Sequence, residues 1–194
     1  MTISLDAQTA LLIEDLQLDF LAGGSLAVPG GDEVIPVLNR YIMLARGKGM
    51  PIFASRDWHP RNHCSFRAQG GLWPEHCVAG TPGAEFAPDL NLPEDAAIVS
   101  KATRADAEAY SSFMGTDLTL RLRKLGVKRL LVGGLATDYC VLNTVMDALK
   151  AGFEVLLLED AIRAVNVNPD DGDRAEREMR QAGAVPIRIE DCLQ

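Results

Sequence analysis

The chain has 194 residues, of which 47% are apolar and 24% charged, and it carries a formal net charge of −8 at pH 7. That length can bury one substantial core, so residues 1–194 are read as a single domain. The acidic balance argues against nucleic acid or an anionic membrane surface as a partner, and apolar runs such as VLLL at 155–158 are far too short to span a bilayer.

At the N-terminus, MTISLDAQTA has no basic segment leading into an apolar one, so no secretory signal is read and a cytoplasmic setting is expected. ALLIEDL (10–16) predicts a buried strand, IPVLNRYIMLARGKG (35–49) a helix ending at glycines, and PIFASRD (51–57) a second strand. Residues 58–95 break the rhythm, holding five of the ten prolines, all three histidines and both tryptophans. An irregular stretch that long in a folded chain points to function. AAIVSK (96–101) predicts a third strand. TDLTLRLRKLG (116–126) predicts a helix, with leucines at 118, 122 and 125 and Thr116 as its N-cap. KRLLVGGL (128–135) is a fourth strand. In DYCVLNTVMDALKAG (138–152), Leu142, Val145, Met146 and Leu149 form a helical stripe. EVLLLED (154–160) is a fifth strand, DGDRAEREMRQAG (171–183) a polar helix and AVPIRIED (184–191) a sixth strand. Strands alternating with helices predict a parallel sheet covered on both faces.

In open parallel sheets, ligands bind beyond the carboxyl ends of the strands. The first strand ends at Asp15, the second at Asp57, the third at Lys101, and the fourth leads into Cys140. Taken singly, each has an ordinary reading as turn cap, solvated strand end or core thiol; their common rim joins them. The four cysteines (64, 77, 140 and 192) form no CxxC pair, which argues against a zinc finger or a dithiol redox site. Asp57 with His59, and His63 and His76 in the same irregular segment, suit zinc, iron or manganese with open coordination positions. If the histidines hold metal, a nucleophilic Cys140 needs another base, and Asp15 and Lys101 are the candidates. Thr137 or Asp138 as N-cap places Cys140 in the first helical turn, where the helix dipole and Lys101 are expected to lower its pKa.

The motifs DLQLDF with GGSLAV (15–28), SRDWHPRNHCSF (55–66), LWPEHCVAGTPGAEF (72–86), Lys101 followed by AYSSF (109–113), and GLATDYCV (134–141) run through most of the chain. On these, it resembles the nicotinamidase/pyrazinamidase branch of the isochorismatase-like cysteine hydrolase superfamily. The resemblance implies a three-layer α/β/α fold, with a six-stranded parallel sheet of order 3-2-1-4-5-6. It implies a triad of Asp15, Lys101 and Cys140, and one divalent metal on Asp57, His59 and His76. His63 matches a position that binds metal in only some members. An oxyanion hole from the N–H groups of Ala136 and Cys140 is implied, beside a cis peptide at Leu135–Ala136. Phe20, Trp73 and Tyr110 match residues lining the substrate pocket. Two departures stand out: Glu14, where the family often has valine or isoleucine and which is expected to point away from the triad, and Tyr139, often histidine.

The activity implied is hydrolysis of nicotinamide to nicotinate and ammonia through a thioacyl-enzyme. Pyrazinamide as a second substrate, nicotinate feeding NAD salvage and a homo-oligomeric state are further expectations. Three other readings stand beside it. An amidase for N-carbamoyl or ureido compounds keeps the triad but has no use for the metal cluster. A non-catalytic metal-binding protein keeps the cluster and has no use for Cys140. A Cys–His hydrolase requires one histidine as base.

Overall fold

The computed structural model describes residues 5–192; the first residues of the stretch read for a targeting signal lie outside them. Six strands, β1 (Thr9–Glu14), β2 (Ile52–Asp57), β3 (Ala97–Lys101), β4 (Arg129–Leu135), β5 (Glu154–Arg163) and β6 (Val185–Ile187), form one sheet of order β3-β2-β1-β4-β5-β6. Every pairing is parallel. The order reverses between β1 and β4, which leaves a crevice beyond their carboxyl ends.

Strand alternation sorts the core into two layers. Leu11 and Ile13 of β1 join the cluster under helix α1 (Val34–Gly47). Ala10 and Leu12 join the other cluster, under α2 (Leu118–Lys124), α3 (Leu142–Lys150) and α4 (Asp171–Ala182). All six residues of β1 are buried, as befits a central strand covered on both faces. No helix among the described residues is long and apolar enough to cross a membrane.

Several boundaries differ from the sequence expectation. β1 stops at Glu14 because Asp15 takes a left-handed backbone, φ 50°. The helix expected from residue 138 begins as a π-helical turn, Thr137–Val141, and becomes α-helical at Leu142. Neither Thr137 nor Asp138 caps it; the Asp138 carboxylate instead accepts the N–H groups of Val165 and Asn166. Thr116 lies one residue before the N-cap of α2 and its hydroxyl accepts only a long bond from the Leu118 N–H, at 3.3 Å. β6 ends at Ile187, where the chain turns into a 3-10 segment (Ile189–Cys192) whose first N–H is taken by Asp160. The segment 58–95 carries only short 3-10 turns and isolated bridges, as expected.

Gly134 sits where β4 passes the end of β1. Its φ is 125°, and a Cβ placed there would lie 2.1 Å from the Glu14 carbonyl oxygen. Both the conformation and the contact exclude a side chain. Gly134→Ala is expected to cost at least about 3 kcal/mol, a fall in Tm of roughly 6–12 °C by calorimetry for a chain of this size.

Candidate active site

The sheet register sets the site. Asp57 pairs with Lys101 across β2 and β3, and the Asp15 N–H donates to the carbonyl of Ser55 on β2, 3.3 Å away. Ala102, after Lys101, is left-handed like Asp15, with φ 51°. Such non-glycine conformations cost of order 1 kcal/mol and cluster at functional sites.

Lys101, with 1% of its surface exposed, is the hub. Its Nζ lies 2.5 Å from Asp57 Oδ1, 2.8 Å from Asp15 Oδ2 and 3.4 Å from Cys140 Sγ. The contact to Asp15 is a close ion pair outside hydrogen-bond geometry. Asp15 Oδ2 is consequently the buried side-chain oxygen left without a hydrogen bond among the described residues. Carboxylate oxygens of Asp15 and Asp57 and the Cys140 sulfur lie within 4.8 Å of one another.

Burial dominates the acids and the thiol. It raises the pKa of Asp15, with Lys101 opposing and Asp57 reinforcing. It also pushes the Cys140 thiol well above its ordinary value, with Lys101 opposing and Asp15 adding to the rise. The expectation that Lys101 and a helix N-terminus lower the thiol pKa is therefore reversed: desolvation of a buried thiolate outweighs one cation, and a base must remove the proton. For Lys101 burial alone would favour the neutral amine, but Asp15 and Asp57 outweigh it and hold the ammonium well above the usual lysine range.

Asp57 also faces the histidines. One carboxylate oxygen of Asp57 and one ring nitrogen each of His59 and His76 lie within 4.8 Å of one another. His59 Nδ1 lies 3.0 Å from the His76 carbonyl and His76 Nδ1 2.8 Å from the Pro74 carbonyl. A carbonyl only accepts, so each Nδ1 carries the hydrogen and each Nε2 presents a lone pair, the tautomer that metal ligation requires. Burial, with His76 and His63 adding, depresses the His59 pKa to about 3 and keeps the ring neutral. This donor set fits a divalent cation. His63 differs, with Nε2 on the Ala107 carbonyl (3.1 Å) and Nδ1 on the Ser65 hydroxyl (2.7 Å), so both ring nitrogens have protein partners.

The remaining wall is aromatic. Trp73 Nε1–H donates to the Tyr110 hydroxyl at 3.0 Å, and Tyr139 packs with its ring centroid 5.0 Å from Trp73 and 5.5 Å from Tyr110. Phe20 lies 5.6 Å from the His76 ring. With Ala136 and Cys140, these groups line a narrow, mostly apolar cleft. A larger open cleft beside Pro51, Asp95 and Leu125 contains no histidine or cysteine. The Leu135–Ala136 peptide is cis.

The sequence reading missed several supporting residues. Gln17 accepts the Asp57 N–H and donates to the carbonyls of Asp57 and Ala84, tying the end of β2 to the irregular segment. Asp19 accepts the Cys77 N–H, and its carboxylate fills the space where Gly83 would otherwise carry a Cβ. Both lie inside DLQLDF, so the motif located them without giving their roles. Glu14, expected to point away from the triad, instead meets it: the left-handed backbone at Asp15 ends the strand alternation, and the two carboxyls share the Ser55 hydroxyl. Glu14 is fully buried and also hydrogen-bonded to Ser112.

The family model for the isochorismatase domain matches residues 9–191. The nicotinamidase of Escherichia coli is 41% identical, over 94% of this chain and 95% of its own. The nicotinamidase/pyrazinamidase of Mycobacterium tuberculosis is 39% identical, over 89% of this chain and 95% of its own. Among solved structures, the pyrazinamidase of Pyrococcus horikoshii in complex with zinc superposes with a TM-score of 0.90 at 54% identity, covering 93% of this chain and 99% of its own.

Proposed function

The chain belongs to the isochorismatase domain family, and from that membership and the geometry above we infer that it is an amidohydrolase converting nicotinamide to nicotinate and ammonia, with pyrazinamide as a second substrate. One observation carries the chemistry: a buried lysine holds a carboxylate against a buried cysteine in an aromatic-walled cleft.

In this reading Asp15 takes the Cys140 proton on its free oxygen, and the thiolate attacks the carboxamide carbon. The N–H groups of Ala136 and Cys140 receive the oxyanion, each donor contributing about 3 kcal/mol by precedent. As the C–N bond breaks, Asp15 returns its proton to the leaving nitrogen, giving ammonia and a thioester. Asp15 then deprotonates water, which cleaves the thioester to nicotinate and restores the thiol. The raised Asp15 pKa suits a group that acts alternately as base and acid. Lys101 balances the charge at each stage, while Phe20, Trp73 and Tyr110 hold the ring.

Asp57, His59 and His76 would hold a divalent cation, which supplies, when bound, a Lewis-acid anchor for the ring nitrogen. Zinc is proposed first, with iron or manganese as alternatives. His63, with both nitrogens engaged, is proposed as a support for this set. An N-carbamoyl amidase would have no use for the cluster. The four free thiols are in keeping with a reducing cytoplasm, where nicotinate would feed NAD salvage.

Ammonia release from nicotinamide by metal-loaded protein tests the reading. Chelation is expected to cut kcat/KM by at least about tenfold, with recovery on adding zinc. Chelation without effect would favour the N-carbamoyl reading, and no release from the loaded enzyme would end the nicotinamidase one.

A further inference from the structure

Glu14 is a fully buried carboxyl that the reaction above does not use. It lies on the α3 side of β1, and its partners are hydroxyls. Ser55 Oγ is 2.9 Å from its Oε2, and Ser112 Oγ is 2.7 Å from Oε2 and 3.0 Å from Oε1. Ser112 is itself held by its N–H donating to Thr144 Oγ1 on α3, at 2.9 Å. Ser55 Oγ also lies 2.6 Å from Asp15 Oδ1 and accepts the Asp15 N–H at 3.2 Å.

A serine hydroxyl has one proton to give and two lone pairs. One lone pair of Ser55 takes the Asp15 N–H. Two carboxyl oxygens remain, and Ser55 has one proton for them, so one of the two carboxyls must be the donor. Asp15 has the Lys101 ammonium 2.8 Å away, whereas Glu14 has hydroxyls alone, so the extra proton sits on Glu14. Burial, with the Asp15 charge adding and Lys101 opposing, raises its pKa to about 8, in the same direction. Asp15 and Lys101 are the charged groups that act on it; Ser55 on β2, Ser112 before α2 and Gly134 on β4 bring none.

We propose that Glu14 is a positioning residue for the hydrolysis: as a neutral acid it donates to Ser55, which commits the Ser55 proton to Asp15 Oδ1 and leaves Oδ2 open to the Cys140 proton. An ionised Glu14 would compete for that Ser55 proton and place a second negative charge beside the base. The proposal rests on the amidase reading in which Asp15 is the base.

The test compares wild type with Glu14→Gln and Glu14→Val, all metal-loaded. Glutamine keeps a neutral donor for Ser55 and an acceptor for Ser112; valine keeps neither. At pH 6.5, Glu14→Gln is expected to hold kcat within about threefold of wild type, and Glu14→Val to lose about tenfold or more in kcat with KM little changed. In wild type, kcat is expected to fall as Glu14 ionises near pH 8, and Glu14→Gln to lack that component. A second readout is independent of the reaction. Because the folded pKa is raised, folded protein holds a proton that unfolded chain has released between about pH 4.5 and 8, and the stability this brings is lost as pH rises through that window. Glu14→Gln should therefore gain thermal stability relative to wild type from pH 5 to pH 8. Coincident alkaline limbs, a tenfold loss in Glu14→Gln at pH 6.5, or full activity in Glu14→Val would each overturn the proposal. Absence of ammonia release from wild type would instead remove the amidase reading, while the thermal comparison would still report on the Glu14 proton.

Discussion

Cys140→Ala is expected to abolish ammonia release from nicotinamide, by at least about 10⁴-fold in kcat, while leaving the fold and the cleft in place. Removing one buried sulfur costs of order 1 kcal/mol, so Tm should move by only a few degrees. Bound nicotinamide should still raise Tm in the metal-loaded variant. Cys140→Ser should be nearly as inactive, because a buried hydroxyl is far harder to deprotonate than a thiol. In wild-type protein quenched in acid during turnover, mass spectrometry should find a nicotinoyl group on the Cys140 peptide. Retained activity in the alanine variant would return Cys140 to the ordinary reading of a buried core thiol, which its burial alone permits.

Lys101→Met is expected to lose both stability and activity. Its side chain is wholly inaccessible and lies between Asp15 and Asp57. Removing the ammonium leaves two buried carboxyls with oxygens within 4.8 Å and no cation between them. Breaking a buried pair in this way costs about 3–5 kcal/mol, or roughly 10 °C in Tm. The pH dependence has a definite sign. Without Lys101 opposing burial, the Asp15 pKa rises further. The folded variant then holds a proton that the unfolded chain has released, and the stability this proton confers is present at low pH and lost as pH rises. The deficit against wild type should be smaller at pH 5 than at pH 8 in thermal melts. kcat should fall by about 10²-fold or more, since the charge formed with the thiolate loses its neighbouring cation. A Lys101→Met protein as stable and active as wild type would remove the hub from the mechanism.

Both predictions turn on a site that was partly legible in one dimension. Asp15, Asp57, Lys101 and Cys140 stand at or just beyond strand ends, and βαβ alternation sends successive strand ends to one rim. The period of the apolar residues was enough for the elements, and the motif set for the family and the order of the sheet. DWH, with His76 downstream, marked the candidate metal cluster, because those residue types have few other reasons to gather in an irregular segment.

Other features depended on distances that the sequence does not encode locally. The protonation balance is one. Whether burial or Lys101 controls Asp15 and Cys140 depends on how completely water is excluded, and exclusion comes from two helical layers closing on the sheet. The ring nitrogens of His63 are another, since Ala107 is 44 residues away and is brought there by the loop after β3. Tyr139 became part of the aromatic wall only when the π-helical turn set it against Trp73 and Tyr110. Glu14 shows the division most clearly. Alternation turns it away from Asp15, but the left-handed backbone at Asp15 breaks the alternation, and the packed structure buries Glu14 with its carboxyl on the same Ser55 hydroxyl as Asp15. It also brought Ser112, 98 residues on, to meet the carboxyl, and Ser55, 41 residues on, to join it to Asp15. Sequence patterning determined which residues reach the rim, because it follows the local period of strand and helix. Tertiary structure decided which of them hold protons, because that depends on desolvation and on partners distant in the chain.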